Sequence, residues 1–164
     1  MKIGSLIENF FMTKAIILDS GPLGLIVHPR GSSESEKCVN WLLSMLKKGL
    51  RIFIPEIADY ELRREMILND NLNGIKKLDD LKRTIDYIQI NTETMLYAAE
   101  LWAQIRKKGK PTADKNSLDI DVILAAQARF VMSDIIKDEI IIATTNVGHL
   151  SLFVNAEKWE NINL

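Results

Sequence analysis

The chain has 164 residues, of which 21 are Lys or Arg, 22 are Asp or Glu and one is Cys. This length lets one domain bury its own core, and a net charge of -1 offers no overall attraction to a polyanion, so contact with nucleic acid depends on local basic clusters. The single Cys38 excludes an internal disulfide and is typical of a cytoplasmic protein. No apolar run approaches the about 20 residues that span a bilayer, so no membrane contact is expected.

The N-terminal segment, residues 1–13, lacks the regular alternation of the rest of the chain. Its apolar residues are interrupted by Glu8 and Asn9, and no small-residue cleavage site comes after them, so it does not have the pattern of a signal peptide. We expect an N-terminal extension over residues 1–13 and one domain over residues 14–164.

Short apolar runs alternate with helical patterns from residue 14 onward. Buried strands are predicted at residues 15–18, 51–54 and 139–145, and further short strands at 87–90 and 159–162. The helices are predicted to cover residues 34–48, 55–70, 75–88, 92–108 and 117–133. This alternation predicts a three-layer α/β/α fold around a central, mainly parallel sheet of four or five strands.

Local signals set the expected helix starts and inward faces. Ser33 and Glu36 have the spacing of a capping box, and Pro55 stands at a favoured first helical position. The inward residues are predicted to be Ile57, Tyr60, Met66 and Ile67 in the helix at 55–70, and Met95, Leu96, Ala99, Trp102 and Ile105 in the helix at 92–108.

Acidic residues occur where parallel strands would bring them to one edge of the sheet. Asp19 follows the first strand, Glu61 lies on the helix after the second, and Asp121 lies in the helix that leads to the last. Because the carboxyl ends of parallel strands share one edge, these three side chains are expected to converge there. Asp119 and Asn146 are further candidates for this site.

Each acid also has a purely structural interpretation. Asp19 can cap a turn, the charges around Glu61 can form a solvated helix face, and Asp119 can simply favour the helix dipole. Asp121 lies beside an apolar stripe and is better placed to enter a crevice next to the core.

Three converging carboxylates repel one another unless a cation lies between them. Oxygen ligands without cysteine suit a hard divalent ion such as Mg²⁺ or Mn²⁺. Such a site supports hydrolysis of a phosphodiester, because the ion activates a bound water and stabilises the departing oxygen.

Four motifs occur in order: LDSGPLG, PEIADYELRRE, DIDVILAAQA and ATTNVGHL. Together they resemble a PIN domain of the VapC toxin type over residues 14–153, nearly the whole chain. The resemblance implies a metal-dependent ribonuclease, the toxin of a type II toxin–antitoxin pair, which acts on RNA, forms a homodimer and is inhibited by a cognate antitoxin.

The resemblance also implies residue roles. Asp19, Glu61 and Asp121 match the metal-binding acids. Ser20 lies beside the first acid, and Thr145 is assigned the Ser/Thr position of the last motif. In that motif many relatives have Asp where this chain has Asn146, and many have an acidic residue near His149, so one fewer negative charge is expected to weaken the binding of metal.

Basic residues give local support for an RNA substrate. Those interpreted as phosphate contacts are Arg63, Arg106, Lys107, Lys108 and Lys110; the last four can equally be a solvated helix end that complements its dipole. His28 and His149 are interpreted as structural or surface groups.

Two other classes of protein stay open. A PIN-like domain that binds RNA or a partner protein without cleaving is the first alternative, because Asn146 carries no charge. A phosphatase of the haloacid dehalogenase type ranks third, because Asp119 and Asp121 follow a polar loop and not a strand.

Overall fold

The computed structural model describes residues 14–28, 30–109, 118–134 and 139–164, except for the side chains of residues 118, 119 and 132–134. The predicted N-terminal extension over residues 1–13, and Lys110, lie outside the described residues. None of the helices in the described ranges is long and apolar enough to cross a membrane.

A five-stranded sheet forms the centre of the domain, and every strand pair in it is parallel. The strands are β1 (Ala15–Leu18), β2 (Arg51–Pro55), β3 (Asp86–Ile88), β4 (Ile140–Thr144) and β5 (Ala156–Lys158), in the spatial order β3-β2-β1-β4-β5. β1 is central and completely buried, as expected of an apolar strand covered on both faces. The predicted parallel sheet is therefore confirmed, with five strands.

Helices cover both faces of this sheet. They are α1 (Ser20–Ile26), α2 (Ser33–Lys47), α3 (Glu56–Leu68), α4 (Leu72–Leu81), α5 (Thr92–Lys107) and α6 (Leu118–Asp134), with 3₁₀ turns at Leu150–Leu152 and Trp159–Asn161. Side chains of α1 to α4 pack in one core cluster with Ile16 and Leu18, whereas α6 packs with Ala15 and Ile17 on the opposite face. α5 packs against the outer side of α6. The three-layer α/β/α fold is confirmed.

Several element boundaries differ from the predictions. α2 is capped by Ser32, whose hydroxyl accepts a hydrogen bond from the Ser35 N–H at 3.1 Å, one residue earlier than expected. Pro55 ends β2 and precedes the first residue of α3. The last strand occupies Ala156–Lys158, and the segment from Trp159 forms a 3₁₀ turn. α1 was not predicted; it begins directly at Ser20 because Asp19 caps it.

The inward faces of α3 and α5 also differ from the predictions. Tyr60 and Ile67 are 52% and 60% exposed, and the buried residues of α3 are Ala58, Asp59 and Met66. In α5 the buried residues are Thr94, Ala98, Leu101 and Ile105, so the inward face is rotated away from Met95 and Leu96. Apolar residues occur on more than one side of both helices, and packing against neighbouring elements decides which side is buried.

Candidate active site

Asp19 lies at the carboxyl edge of the sheet, directly after the central strand β1. Its backbone N–H donates to the Ala143 carbonyl of β4 at 2.9 Å, which continues the strand pairing by one residue. One carboxylate oxygen accepts from the Ser20 N–H at 2.7 Å, and the other accepts from the Thr144 hydroxyl at 2.7 Å. Asp19 therefore caps α1, as the structural interpretation expected, and is at the same time fixed at the sheet edge.

Thr144 is the residue that sequence reasoning missed. It is the last residue of β4, is fully buried, and accepts a hydrogen bond from the Asn146 N–H at 3.0 Å while it donates to Asp19. Thr145, which was assigned the Ser/Thr position, is exposed. Its side chain lies so close to Gly21 that a Cβ at position 21 would collide with it. The parallel register sets Leu18 beside Ala143, so the next residues, Asp19 and Thr144, are neighbours.

Glu61 and Asp121 reach the same place from two other helices. A cleft of about 300 Å³ is lined by residues of α1, α3, α6 and the loop after β4: Asp19, Ser20, Gly21, Glu61, Asp121, Thr144, Thr145, Asn146, Gly148 and His149. The structure thus brings together all three predicted acids, with Ser20, Thr145 and Asn146. The side chain of Asp119 lies outside the described residues.

Buried Gln127 fixes the two acid-bearing helices relative to each other. Its side-chain oxygen accepts from the Ile57 N–H at the start of α3 at 3.2 Å, and its amide nitrogen donates to the Ile88 carbonyl at the end of β3 at 2.8 Å. Because Gln127 lies on α6 with Asp121, these bonds tie α6 to the start of the helix that carries Glu61.

The cleft disfavours the charged form of each acid. Burial raises the pKa of Asp19, although the hydrogen bonds from Thr144 and Ser20 oppose that rise. Burial also raises the pKa of Glu61 and of Asp121, and the charge of Asp19 adds to both shifts. Arg64 near Glu61 and His149 near Asp121 act in the opposite direction. Positive charge near the three carboxylates is therefore too small to offset the cost of ionising them together.

The donor chemistry of the cleft fits a hard divalent cation. Asp19, Glu61 and Asp121 offer carboxylate oxygens and Asn146 offers an amide oxygen. A cation among them would favour the ionised carboxylates, which burial disfavours. Across the described ranges, no three His, Cys, Asp or Glu side chains form a ready-made metal-binding group.

The basic residues predicted to contact RNA differ in their exposure and in their partners within the protein. Arg63 pairs with Asp59 and with Asp79, each at 2.7 Å, so its guanidinium is engaged within the protein. Arg106 stacks on Trp102, with its guanidinium carbon 4.5 Å from the ring centroid. Lys107 and Lys108 are exposed at the end of α5.

Asp59 was not recognised from the sequence, although it lies two residues before Glu61. It is completely buried and pairs with Arg63 at 2.7 Å, with Lys82 of α4 at 2.7 Å, and with the Tyr87 hydroxyl of β3 at 2.9 Å. Burial raises the pKa of Asp59, but hydrogen bonds from these three partners outweigh burial and leave the pKa below its usual value.

The sheet order and the acidic cleft at its edge define a three-layer α/β/α domain with a candidate site at the carboxyl ends of its parallel strands. The sequence itself matches no protein-family model and no curated protein.

Solved structures share the fold. A chain of VapBC2 from Rickettsia felis, solved bound to a DNA fragment from the promoter of that system, aligns with a TM-score of 0.60 and 18% identity over 88% of this chain and 98% of that one. A chain of VapBC-1 from nontypeable Haemophilus influenzae aligns with a TM-score of 0.61 and 14% identity over 90% of this chain and 99% of that one. The resemblance to PIN domains of the VapC type is thereby confirmed at the level of the fold.

Proposed function

We propose that the protein is a metal-dependent endoribonuclease and the toxin of a type II toxin–antitoxin pair. The observation that carries the proposal is the meeting of Asp19, Glu61 and Asp121, from three separate elements, in one cleft at the carboxyl edge of a parallel sheet. The likeness to chains of two VapBC complexes supports the same conclusion by analogy of fold.

Asp19, Glu61 and Asp121 would hold Mg²⁺ or Mn²⁺, with Asn146 and Asp119 as further candidate ligands. A bound divalent ion lowers the pKa of a water molecule and stabilises the oxygen that leaves phosphorus. The protein contributes fixed positions: Thr144 and the Ser20 N–H hold both oxygens of Asp19, so that side chain needs little rearrangement on binding a cation. Exposed Lys107 and Lys108 remain candidates for phosphate contacts outside the cleft.

Cleavage of a mixed panel of structured and single-stranded RNAs tests this proposal. With Mn²⁺ or Mg²⁺ the unmodified protein should cut at least one RNA, and EDTA should abolish cutting. Asp121→Asn should lower the rate by more than about 100-fold, because losing a direct ligand costs more than losing the outer partner of a ligand. Asp80→Asn is the matched control and should leave the rate unchanged, since among the described residues the Asp80 carboxylate pairs with exposed Arg83 alone.

Equal cleavage by Asp121→Asn and the unmodified protein, or cleavage that survives EDTA, would contradict the assignment. Folding of each variant is checked by circular dichroism, so that a lost rate is attributed to the site.

The toxin assignment carries two partner predictions. The product of a neighbouring gene, serving as the cognate antitoxin, should co-purify with the chain and suppress cleavage. The free protein should be a homodimer by light scattering. A cytoplasmic location remains a prediction from the single cysteine.

A second candidate function is binding of RNA or protein without cleavage. Asn146 favours it, because an amide in the cleft supplies no charge for a cation. A folded sample that binds RNA but cleaves none of the RNAs in the panel would support this binding function over the nuclease.

A further inference from the structure

We propose that Asn146 and His149 form a phosphate-binding side of the acidic cleft, which holds the RNA backbone by hydrogen bonds. This inference rests on the proposed nuclease function and concerns which residues of the same site contact the substrate. It assigns to His149 a binding role that its sequence context did not indicate.

The loop after β4 is built to present these two side chains to the cleft. Gly148 has a φ of +36°, a conformation that favours glycine, and a Cβ at this position would lie 3.3 Å from the Asn146 side-chain oxygen. The Asn146 N–H is tied to Thr144, which in turn donates to Asp19. His149 then starts the 3₁₀ turn Leu150–Leu152, whose Leu150 is buried and anchors the end of the loop.

Both side chains are free to bind a ligand. Asn146 and His149 are exposed residues that line the cleft, and among the described residues neither side chain has a hydrogen-bond partner. The Asn146 amide oxygen remains available to a cation, while its amide nitrogen can donate two hydrogen bonds and the His149 imidazole N–H can donate one; phosphate oxygens accept hydrogen bonds from such groups.

The charges that line the cleft are unevenly distributed, and the loop after β4 is the part that suits a phosphate. The carboxylates of Asp19, Glu61 and Asp121 repel an RNA phosphate, whereas the loop after β4 contributes no acidic side chain to the lining. The donors of the loop would therefore contact an RNA phosphate from a part of the lining that carries no carboxylate.

RNA binding in EDTA, in an Asp121→Asn background that removes one repelling charge and prevents cleavage, tests the proposal. The probe is a short, fluorescently labelled single-stranded RNA from the panel that the unmodified protein cuts. His149→Ala should weaken binding by about tenfold, the expected cost of one hydrogen bond to a charged group.

Two further variants separate a phosphate contact from a structural role. His149→Lys should restore the affinity, because a lysine again offers N–H donors to the phosphate. Asn146→Asp should weaken RNA binding in EDTA and increase the thermal shift caused by Mn²⁺ alone in the otherwise unmodified protein. His28→Ala and Asn40→Asp are matched controls on exposed residues outside the cleft and should change neither quantity.

The inference is overturned if His149→Ala binds RNA as tightly as its parent, or if His149→Lys fails to restore binding. It is also overturned if Asn146→Asp binds RNA more tightly in EDTA. These failures are distinguishable from failure of the proposed function, in which the unmodified protein cuts no RNA in the panel.

Discussion

Two carboxylates on one helix, Asp59 and Glu61, have opposite environments. Asp59 is completely buried against Arg63, Lys82 and Tyr87, and its pKa is held below the usual value. Glu61 faces a cleft that it shares with two other acids, and its pKa is raised. The side chains are two positions apart, so they leave α3 about 200° apart and meet different partners.

The comparison separates a structural acid from a candidate ligand. The partners of Asp59 supply two positive charges and a hydroxyl within 2.9 Å, which offsets the cost of burial. The acids in the cleft remain unneutralised, and such uncompensated sites are typical of functional groups. Substitution of Asp59, a change of pH and substitution of Asp121 test this difference between the two environments, beginning with the largest expected effect.

Replacement of Asp59 should cause the largest loss of stability. Asp59→Ala leaves Lys82 without its carboxylate and Arg63 with only Asp79, and it unties α3 from α4 and β3. We expect the free energy of unfolding to fall by about 3 kcal/mol, measured by urea denaturation.

The matched control is Asp80→Ala. Asp80 pairs with Arg83 at 2.9 Å, but both side chains are more than half exposed, so the loss should be below about 0.5 kcal/mol. Similar losses for the two variants would show that the buried network is no more important than a surface pair.

The Asp59 network should also make stability depend on acid pH. The folded pKa of Asp59 lies below its unfolded value, so ionised Asp59 stabilises the fold above about pH 3.9, the unfolded pKa. This contribution is lost as the pH falls through the folded pKa. The difference in unfolding free energy between the unmodified protein and Asp59→Ala should therefore shrink when urea denaturation is repeated at decreasing pH.

A difference that stays constant from neutral pH to well below the unfolded pKa would contradict this assignment. It would mean that Asp59→Ala acts by lost packing and not by lost charge.

The fold was largely predictable from sequence because its strands carry a strong local signal. Residues 15–18 and 140–143 are uninterrupted apolar runs between polar residues, and such runs pair in the centre of a parallel sheet. The position of Asp19 follows from the end of β1, and parallel order then predicts that acids after other strands meet it.

Contacts between distant segments were not predictable in the same way. Asp59 is buried because Lys82 and Tyr87, more than 20 residues later in the chain, pack against it and hydrogen-bond to it. The sequence pattern within α3 does not indicate these contacts. Thr144 required the register between β1 and β4, since a shift of one residue would have put Thr145 beside Asp19. The face of α5 depended on how α6 packs against Ala98 and Leu101.

The smallest expected effect concerns Asp121 in the absence of divalent ions. Burial and then the charge of Asp19 raise its pKa, against the opposing effect of His149. Its stabilising contribution is therefore complete below the unfolded pKa of about 3.9 and is lost as the pH rises through the folded pKa. At neutral pH in EDTA, Asp121→Asn should leave the free energy of unfolding unchanged or raise it by up to about 1 kcal/mol.

Added Mn²⁺ should make the unmodified protein more stable than Asp121→Asn, because a ligand that binds only the folded state stabilises it. The unmodified protein should gain thermal stability and Asp121→Asn should gain little, whereas Asp59 variants that still fold should respond to Mn²⁺ like the unmodified protein. A loss of more than about 1 kcal/mol for Asp121→Asn in EDTA would exceed what a partly exposed, unpaired carboxylate contributes. It would place Asp121 with Asp59 among the residues that hold the fold together, and the acidic cleft would then need a different explanation.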